Sequence, residues 1–186
     1  MEWYRIQRTD DAAYESLMKV FTESFPDSER RPREWFDRLV EGEPRFYCLA
    51  YGNADAILCY WRLMMEREGV LMPFVYVEYL AVRKELRGGG IGTEVMSEFL
   101  KRMNDVPVVL EVELPVCELT RKRVEFYERL GLRLMPEYYE QPSYGVVPGQ
   151  ELKLMLYAPC GLGVVSMSDM GQIIHREVYG VVNCRE

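Results

Sequence analysis

Residues 79–103, YLAVRKELRGGGIGTEVMSEFLKRM, decide the fold. The stretch begins as an apolar strand and ends with the spacing of an amphipathic helix. Four glycines, at positions 88, 89, 90 and 92, stand where that helix begins. A glycine inside a helix costs about 1 kcal/mol relative to alanine. Helix formation therefore does not explain these glycines, and another role has to be considered.

A strand-to-helix junction of this kind is suited to binding an anion. The first backbone N–H groups of a helix have no partner within it and carry partial positive charge, and a phosphate is a common ligand there. Glycine lets the backbone approach that ligand because it has no Cβ atom. Arg87 would add a full positive charge at the rim. We therefore interpret the stretch as a phosphate cradle.

The spacing of the glycines distinguishes among phosphate-binding loops. The Walker loop requires a Gly-Lys pair that is missing here, and the dinucleotide fingerprint G-x-G-x-x-G would need a glycine where Thr93 stands. The pattern present is R-x-x-G-x-G, from Arg87 to Gly92. A nucleotide stays open as an alternative ligand, but no Walker lysine and no second acidic metal motif support it.

The rest of the chain predicts the element order β-α-α-β-β-β-α-β-α-β-β-α, which is a mixed α/β fold. The strand-helix-strand unit around the glycines implies parallel pairing through a right-handed crossover. Hairpins at either end, such as the one that turns at Gly52-Asn53, imply antiparallel strands. No repeat and no linker divides the chain, so we expect a single domain.

Local patterns give four more specific expectations. Thr9 is predicted to cap the first helix and Ser168 the last. Residues 133–141 are predicted to form one continuous strand. The helix that ends at Gly131 is predicted to bury one apolar face, made of Leu119, Val124, Tyr127 and Leu130.

Composition limits the function classes. The chain has 186 residues and a formal net charge of −7, which disfavours binding to nucleic acid through phosphate contacts. No run of about 18 apolar residues is present to span a membrane, and the charged N-terminus is unlike a secretory signal. We therefore expect a cytoplasmic protein that does not bind membranes.

Cysteine and histidine usage argues against a metal site and against disulfides. The five cysteines form no C-x-x-C pair, and Cys48 and Cys59 lie in apolar strands as buried thiols would, which fits a reducing compartment. The single histidine, His175, has no histidine or cysteine near it in the sequence. Neither a metal site nor a Ser-His-Asp triad is expected.

Three segments, taken together and in this order, resemble the GNAT superfamily of N-acetyltransferases. They are YLAVRKELRGGGIGTEVM, then LEV at 110–112, and then FYERLGL at 126–132. The resemblance implies a GNAT-like acyl-CoA N-acyltransferase fold over residues 1–160. Residues 161–186 would be a C-terminal helical extension that packs on this domain or on a partner.

The resemblance also implies acetyl-CoA as the co-substrate. Backbone N–H groups would hold its pyrophosphate, and the main chain of the preceding strand would pair with the pantetheine arm. A free N–H of that strand would stabilise the oxyanion that forms at the acetyl carbonyl. Thr120 stands where many relatives have an asparagine and would contact the arm. The implied cofactor residues are Leu80, Ala81, Val82, Arg87, Gly88, Gly89, Gly90, Ile91, Gly92, Thr93 and Thr120.

The same resemblance suggests the catalytic groups. Tyr127 matches the tyrosine that protonates the departing thiolate in many relatives. Glu111, in the LEV segment, and Glu78, two residues before Leu80, are the candidate bases. Each glutamate could instead be a strand residue paired with arginine or lysine, and many relatives use only ordered water as the base.

The sequence predicts the chemical class of the acceptor and leaves its identity open. A primary amine of a small molecule or a peptide is expected, bound near the first two helices and the loop between the last two strands, where acidic and aromatic residues gather. The alternative is a catalytically inactive acetyl-CoA-binding module that acts as a sensor. The sequence leaves the oligomeric state open, a homodimer included.

Overall fold

A computed structural model describes residues 2–144, 150–158 and 167–181 of the chain. It has the mixed α/β architecture that the sequence predicts. The described residues form two compact units, one within residues 2–61 and 77–99 and the other within residues 62–76 and the described part of 100–181. None of the helices in these ranges is long and apolar enough to cross a bilayer.

The strands of the first unit follow one another in the sheet in chain order. They are β1 (Trp3–Ile6), β2 (Phe46–Tyr51), β3 (Ala56–Arg67) and β4 (Val70–Val82), of which β3 and β4 continue into the second unit. Strands β1 and β2, and likewise β2 and β3, pair antiparallel, so the predicted hairpin after Tyr51 is confirmed. Cys48 and Cys59 lie opposite each other and are buried, as predicted, with 3.7 Å between their sulfur atoms.

Two helices cover this part of the sheet with aromatic residues. Helix α1 (Tyr14–Ser24) and helix α2 (Arg33–Gly42) bury Phe21 and Phe36, whose ring centroids are 4.8 Å apart. Both rings also contact Tyr79 of β4. Helix α3 (Ile91–Met103) follows a single 3₁₀ turn at Lys84–Leu86.

The predicted cap of the first helix is wrong. Helix α1 begins at Tyr14, and its N-cap residue, Ala13, makes no side-chain cap. The Thr9 hydroxyl instead donates to the carboxylate of Glu41. Asp11 accepts hydrogen bonds from the N–H groups of Ala13 and Tyr14, so a turn occupies the residues predicted to start the helix.

The second unit contains the C-terminal strands. Strand β5 (Val108–Glu113) pairs antiparallel with β8 (Gln150–Tyr157). Two short strands, β6 (Arg133–Leu134) and β7 (Tyr139–Gln141), also pair with β8. The single strand predicted over 133–141 is therefore interrupted, at a segment that contains Pro136, which has no N–H to donate to a ladder.

Helix α4 (Glu118–Arg129) follows the predicted face except at Leu119, since Tyr127 and Leu130 are half-buried. Val124 is buried, but Leu119 is 67% exposed and Thr120 takes its place on the buried side. The Thr120 hydroxyl hydrogen-bonds the backbone of Cys117, the N-cap residue. These bonds hold the Thr120 side chain on the buried side of the helix. The predicted end of the helix is confirmed, because Gly131 has φ +90, a conformation that glycine adopts without strain.

Helix α5 (Met167–Glu177) packs on strand β7. A Cβ atom added to Gly171 would lie 3.4 Å from the ring of Tyr139, and that ring lies 5.1 Å from the imidazole of His175. The helix begins at Met167, so Ser168 lies in its first turn and is not the N-cap that the sequence predicted.

Candidate functional site

The glycine loop adopts a backbone conformation that explains two of its glycines. Gly88 and Gly90 have φ values of +83 and +84, in the left-handed region that other residues avoid. A Cβ atom added at either position would meet nothing within 4 Å. These glycines are therefore needed for the path of the backbone, and the space beside them is open.

This path presents the N-terminus of helix α3 at the surface. The first helical hydrogen bond runs from the N–H of Glu94 to the carbonyl of Gly90, at 3.0 Å. The N–H groups of Ile91, Gly92 and Thr93 precede that bond and belong to the set that a helix leaves unsatisfied. Their partial positive charge makes this loop suited to an anion.

Arg87 fixes the loop to its surroundings. Its Nε donates to the carbonyl of Val82 at 2.9 Å, and its Nη2 donates to the hydroxyl of Ser24, also at 2.9 Å. The residue remains exposed. Its side chain therefore holds the start of the loop to β4 and α1.

The end of strand β4 exposes part of its main chain. The side chain of Glu78 is only 1% exposed, although the residue as a whole is partly exposed. The exposed atoms of Glu78 must therefore be backbone atoms. Further along the strand, Leu80 and Val82 are partly exposed and Ala81 is buried. At Glu78, main-chain atoms are therefore open to an extended ligand.

The carboxylate of Glu78 is occupied on both oxygens. Arg31 Nε donates to Oε1 at 2.7 Å, and the indole N–H of Trp61 donates to Oε2 at 2.6 Å. The Arg31 side chain is 7% exposed, so the ion pair is buried. The backbone N–H of Arg31 also donates to the hydroxyl of Tyr79, at 3.2 Å. Glu78 could be a base or a strand residue paired with a cation, and in the structure it is paired with Arg31.

In the second unit, a cluster of polar side chains surrounds Glu111. The hydroxyl of Tyr139 and the amide of Gln141 each donate to one of its two carboxylate oxygens. The hydroxyl of Tyr179 donates to Oε2 at 3.0 Å. It also accepts a 2.9 Å hydrogen bond from Gln141 and lies 3.2 Å from the hydroxyl of Tyr76.

Two opposing effects set the protonation of Glu111. Burial raises the pKa of its carboxyl above the ordinary value, and the hydrogen bonds from Tyr139, Tyr76, Tyr179 and Gln141 lower it, with burial the stronger effect. The same surroundings raise the pKa of Tyr139, which therefore stays a neutral donor. A carboxylate with a raised pKa accepts a proton more readily near neutral pH.

The sequence did not reveal this cluster. It suggested Glu111 from the LEV segment, but Tyr76, Gln141 and Tyr179 were not connected with it. The aromatic residues of the 138–144 segment were expected near the acceptor, whereas Tyr139 and Tyr144 are 5% and 7% exposed. The signal available was the strand alternation in this segment, which places Tyr139 and Gln141 on one face.

Tyr127 lies on helix α4 with its hydroxyl uncommitted. The residue is half-buried, and its ring packs edge-on against Phe126, with centroids 4.9 Å apart. No group in the described part of the chain lies within hydrogen-bond distance of its hydroxyl. Burial raises the pKa of Tyr127 to about 12, against a smaller lowering by Arg123. The phenol is therefore protonated at neutral pH and free to donate.

The hydroxyl of Thr120 is already engaged in the cap of helix α4. It accepts from the N–H of Cys117 and donates to the carbonyl of the same residue, both at 3.1 Å. Hydrogen bonds to the thiol from the hydroxyl and from the backbone N–H of Thr120 lower the pKa of the exposed Cys117. A contact between Thr120 and a cofactor remains a prediction.

The predicted site residues are thus distributed over both units. The cradle from Arg87 to Thr93, the strand end at Leu80–Val82 and Glu78 belong to the first, whereas Glu111, Thr120 and Tyr127 belong to the second. In the described ranges no group of three or more histidine, cysteine, aspartate or glutamate side chains is gathered as metal ligands would be.

Comparisons with known proteins agree on one family. A model of the acetyltransferase (GNAT) family matches residues 11–132. The curated Bacillus subtilis (strain 168) protein YjbC, named as an acetyltransferase, is 46% identical over 59 residues. That match spans 30% of this chain and only 29% of the length of YjbC.

Solved structures extend the likeness to nearly the whole chain. A protein from Bacteroides thetaiotaomicron, described as a GNAT-family acetyltransferase, is 27% identical, with a TM-score of 0.83 over 98% of this chain and 100% of that one. Arabidopsis thaliana NAA60, solved in complex with acetyl-CoA, is 16% identical, with a TM-score of 0.61 over 84% of this chain and 98% of that one.

Proposed function

The chain belongs to the acetyltransferase (GNAT) family, and from this premise we propose that it transfers an acetyl group from acetyl-CoA to a primary amine. The observation that carries the proposal is the R-x-x-G-x-G loop, with Gly88 and Gly90 in the left-handed conformation at the N-terminus of helix α3. Such a loop suits the pyrophosphate of coenzyme A.

The binding role of the first unit follows from its exposed backbone. The N–H groups of Ile91, Gly92 and Thr93 would hold the pyrophosphate, with Arg87 beside them. The main chain of Leu80, Ala81 and Val82, which follows the exposed backbone of Glu78, would pair with the pantetheine arm. The complex of Arabidopsis thaliana NAA60 with acetyl-CoA supports this choice of co-substrate.

The proposed chemistry is a direct transfer. The amine nitrogen forms a bond to the acetyl carbon, and the bond from that carbon to sulfur breaks. Tyr127 gives its proton to the departing thiolate, a role that its uncommitted hydroxyl permits. Glu111 takes the proton that the amine loses. We prefer Glu111 to Glu78 because the Glu78 carboxylate is paired with the cationic Arg31, whereas Tyr139, Gln141 and Tyr179, which donate to Glu111, are neutral.

The acceptor is proposed as the amine of a small molecule or a peptide. A chain with net charge −7 favours cationic partners over nucleic acid. We also propose a reducing compartment such as the cytoplasm, because Cys48 and Cys59 are unlinked although their sulfur atoms are 3.7 Å apart.

Calorimetric titration with acetyl-CoA tests the proposal, with ATP and NAD as controls. We expect selective binding of acetyl-CoA, followed by release of free thiol when a panel of amines and peptide N-termini is added. Binding without thiol release for any amine would favour the inactive acetyl-CoA-binding module. Equal or no binding of all three ligands would contradict the proposal.

A further inference from the structure

Strand β3 extends beyond the strand that pairs with it on one side. The ladder between β2 and β3 ends at the pair Phe46–Trp61, where β2 begins, but β3 continues to Arg67. In the described part of the chain, β2 and β4 are the strands beside β3. Residues 62–67 therefore have no strand against them on the β2 side, and we call this open sheet edge the β3 edge.

The hydrogen bonds of β2 indicate which main-chain groups face the β3 edge. The N–H of Gly52 donates to the carbonyl of Glu2 at 3.1 Å, and the carbonyl of Phe46 accepts from the Arg5 guanidinium of β1. Even-numbered positions of β2 thus face β1, so the odd-numbered ones bond to β3, where their partners are even-numbered. Beyond Trp61, the even-numbered residues of β3 therefore point their main chain to the open edge.

These edge-facing residues are Arg62, Met64 and Glu66. All three are exposed, Met64 to 49%, whereas Leu63 and Met65 between them are buried. This alternation is that of a strand with one face on the core. The β3 edge therefore presents to solvent a cation, an apolar side chain and an anion, in that order, together with main-chain groups of the same residues.

A tight turn keeps the β3 edge extended. Glu68 and Gly69 have φ values of +52 and +78, as a two-residue hairpin turn requires at both of its positions. Strand β4 then begins at Val70. Because β3 is already held on its other side by β4, little conformational freedom is lost when another strand pairs with it.

The order of the side chains selects a second copy of the same edge. In an antiparallel pair about a two-fold axis at Met64, this residue faces its equivalent, and Arg62 faces Glu66 of the other copy on both sides of the axis. Opposite charges directly across a strand pair stabilise it. A parallel pair in register would set like charges against each other, and a shift of two residues would set a charge against Met64.

We propose that the β3 edge joins two copies of this chain in an antiparallel ladder. Each facing pair formed by Arg62, Met64 and Glu66 would exchange two N–H···O=C hydrogen bonds. Arg62 has contacts within its own chain, and its five N–H donors allow it to bind a carboxylate of the other copy as well. A ladder this short makes a small interface, so the dimer is weak and concentration-dependent. It needs neither acetyl-CoA nor turnover.

Sedimentation of the full chain over a concentration series tests the proposal. We expect a monomer–dimer equilibrium at micromolar concentrations. Arg62→Glu and Glu66→Arg each convert both cross-strand pairs into like-charge pairs, so each should raise the dimer Kd about tenfold. A wild type that stays monomeric up to millimolar concentration, or a Kd that neither reversal changes, would overturn the proposal.

Mixing the two variants tests the antiparallel register. In a mixed dimer, position 62 of each copy again faces an opposite charge at position 66 of the other. The mixture should therefore dimerise as the wild type does, although neither variant does so alone. A folding defect in either variant would not be repaired by mixing. A mixture that is no more dimeric than its components would contradict the register.

Met64→Pro removes the main-chain donor at the two-fold axis. Proline is tolerated in an edge strand where the N–H faces solvent, so this variant should fold and remain monomeric. Met64→Ala keeps the N–H and should still dimerise, which makes it the matched control. A dimer that persists in Met64→Pro would place the interface elsewhere and refute the assignment.

Discussion

The hydroxyl of Tyr179, two residues beyond helix α5, donates a 3.0 Å hydrogen bond to the carboxylate of Glu111 in strand β5. The two residues are 68 positions apart in the chain. The same hydroxyl contacts Gln141, Tyr76 and Tyr144. The C-terminal segment is therefore part of the environment of the proposed base and does not merely follow it.

Tyr179→Phe is expected to move the acid limb of the pH–rate profile to higher pH. The Tyr179 hydrogen bond lowers the pKa of Glu111 against the effect of burial, so its loss raises that pKa further. A base must be deprotonated to act, and activity would then begin to fall at a higher pH. The measurement is kcat/KM of acetyl transfer against pH.

Tyr144→Phe is the matched control for this shift. The hydroxyl of Tyr144 lies 3.3 Å from that of Tyr179, whereas the hydrogen bonds that lower the pKa of Glu111 come from Tyr139, Tyr76, Tyr179 and Gln141. This variant should leave the acid limb near its wild-type position. If Tyr179→Phe also leaves the limb unchanged while Glu111→Gln remains active, Glu111 is not the base.

Tyr127→Phe should slow the transfer by about 10²-fold to 10⁴-fold, as loss of a general acid does. Binding of acetyl-CoA should not change, because the phenol has no contact in the described chain that its loss would disturb. Single-turnover kinetics and calorimetry measure the two quantities. Phe126→Leu, at the adjacent aromatic residue, tests whether loss of ring packing alone reproduces the effect.

Gly90→Ala should weaken acetyl-CoA binding by about tenfold. An alanine at φ +84 costs about 1–2 kcal/mol, and the loop can relieve that strain only by leaving the path that presents its N–H groups. Gly42→Ala is the control, since that glycine also has open space around it but no positive φ. Equal affinities of the two variants would argue against the cradle.

Glu78→Gln should reduce the free energy of unfolding by about 3–5 kcal/mol, because it leaves the buried guanidinium of Arg31 without its counter-charge. Glu15→Gln breaks the exposed ion pair with Arg33, for which about 1 kcal/mol or less is expected. Urea unfolding of both variants provides the comparison. A loss below 1 kcal/mol for Glu78→Gln would show that water reaches Arg31.

Features with local causes could be predicted from the sequence. The glycine loop, the hairpin after Tyr51 and the end of helix α4 at Gly131 each depend on a few adjacent residues whose backbone preferences are known. The interruption of the 133–141 strand also has a local cause, because Pro136 has no N–H to donate to a ladder.

Features that depend on distant partners could not be predicted. Nothing near Glu111 in the sequence indicates that Tyr179 lies against it, and nothing near Glu78 indicates Arg31, 47 positions earlier. The exposure of Leu119 was also missed, because Thr120, four residues before Val124, takes the buried side while its hydroxyl completes the cap with Cys117.

The chain passes from one compact unit to the other three times, after Trp61, after Tyr76 and after Phe99. Each passage lies inside a regular element, in β3, β4 and α3 respectively. Neither unit is therefore one continuous stretch of chain. A fragment cut after residue 61, 76 or 99 would end inside a hydrogen-bonded ladder or a helix, so no single truncation yields either unit whole.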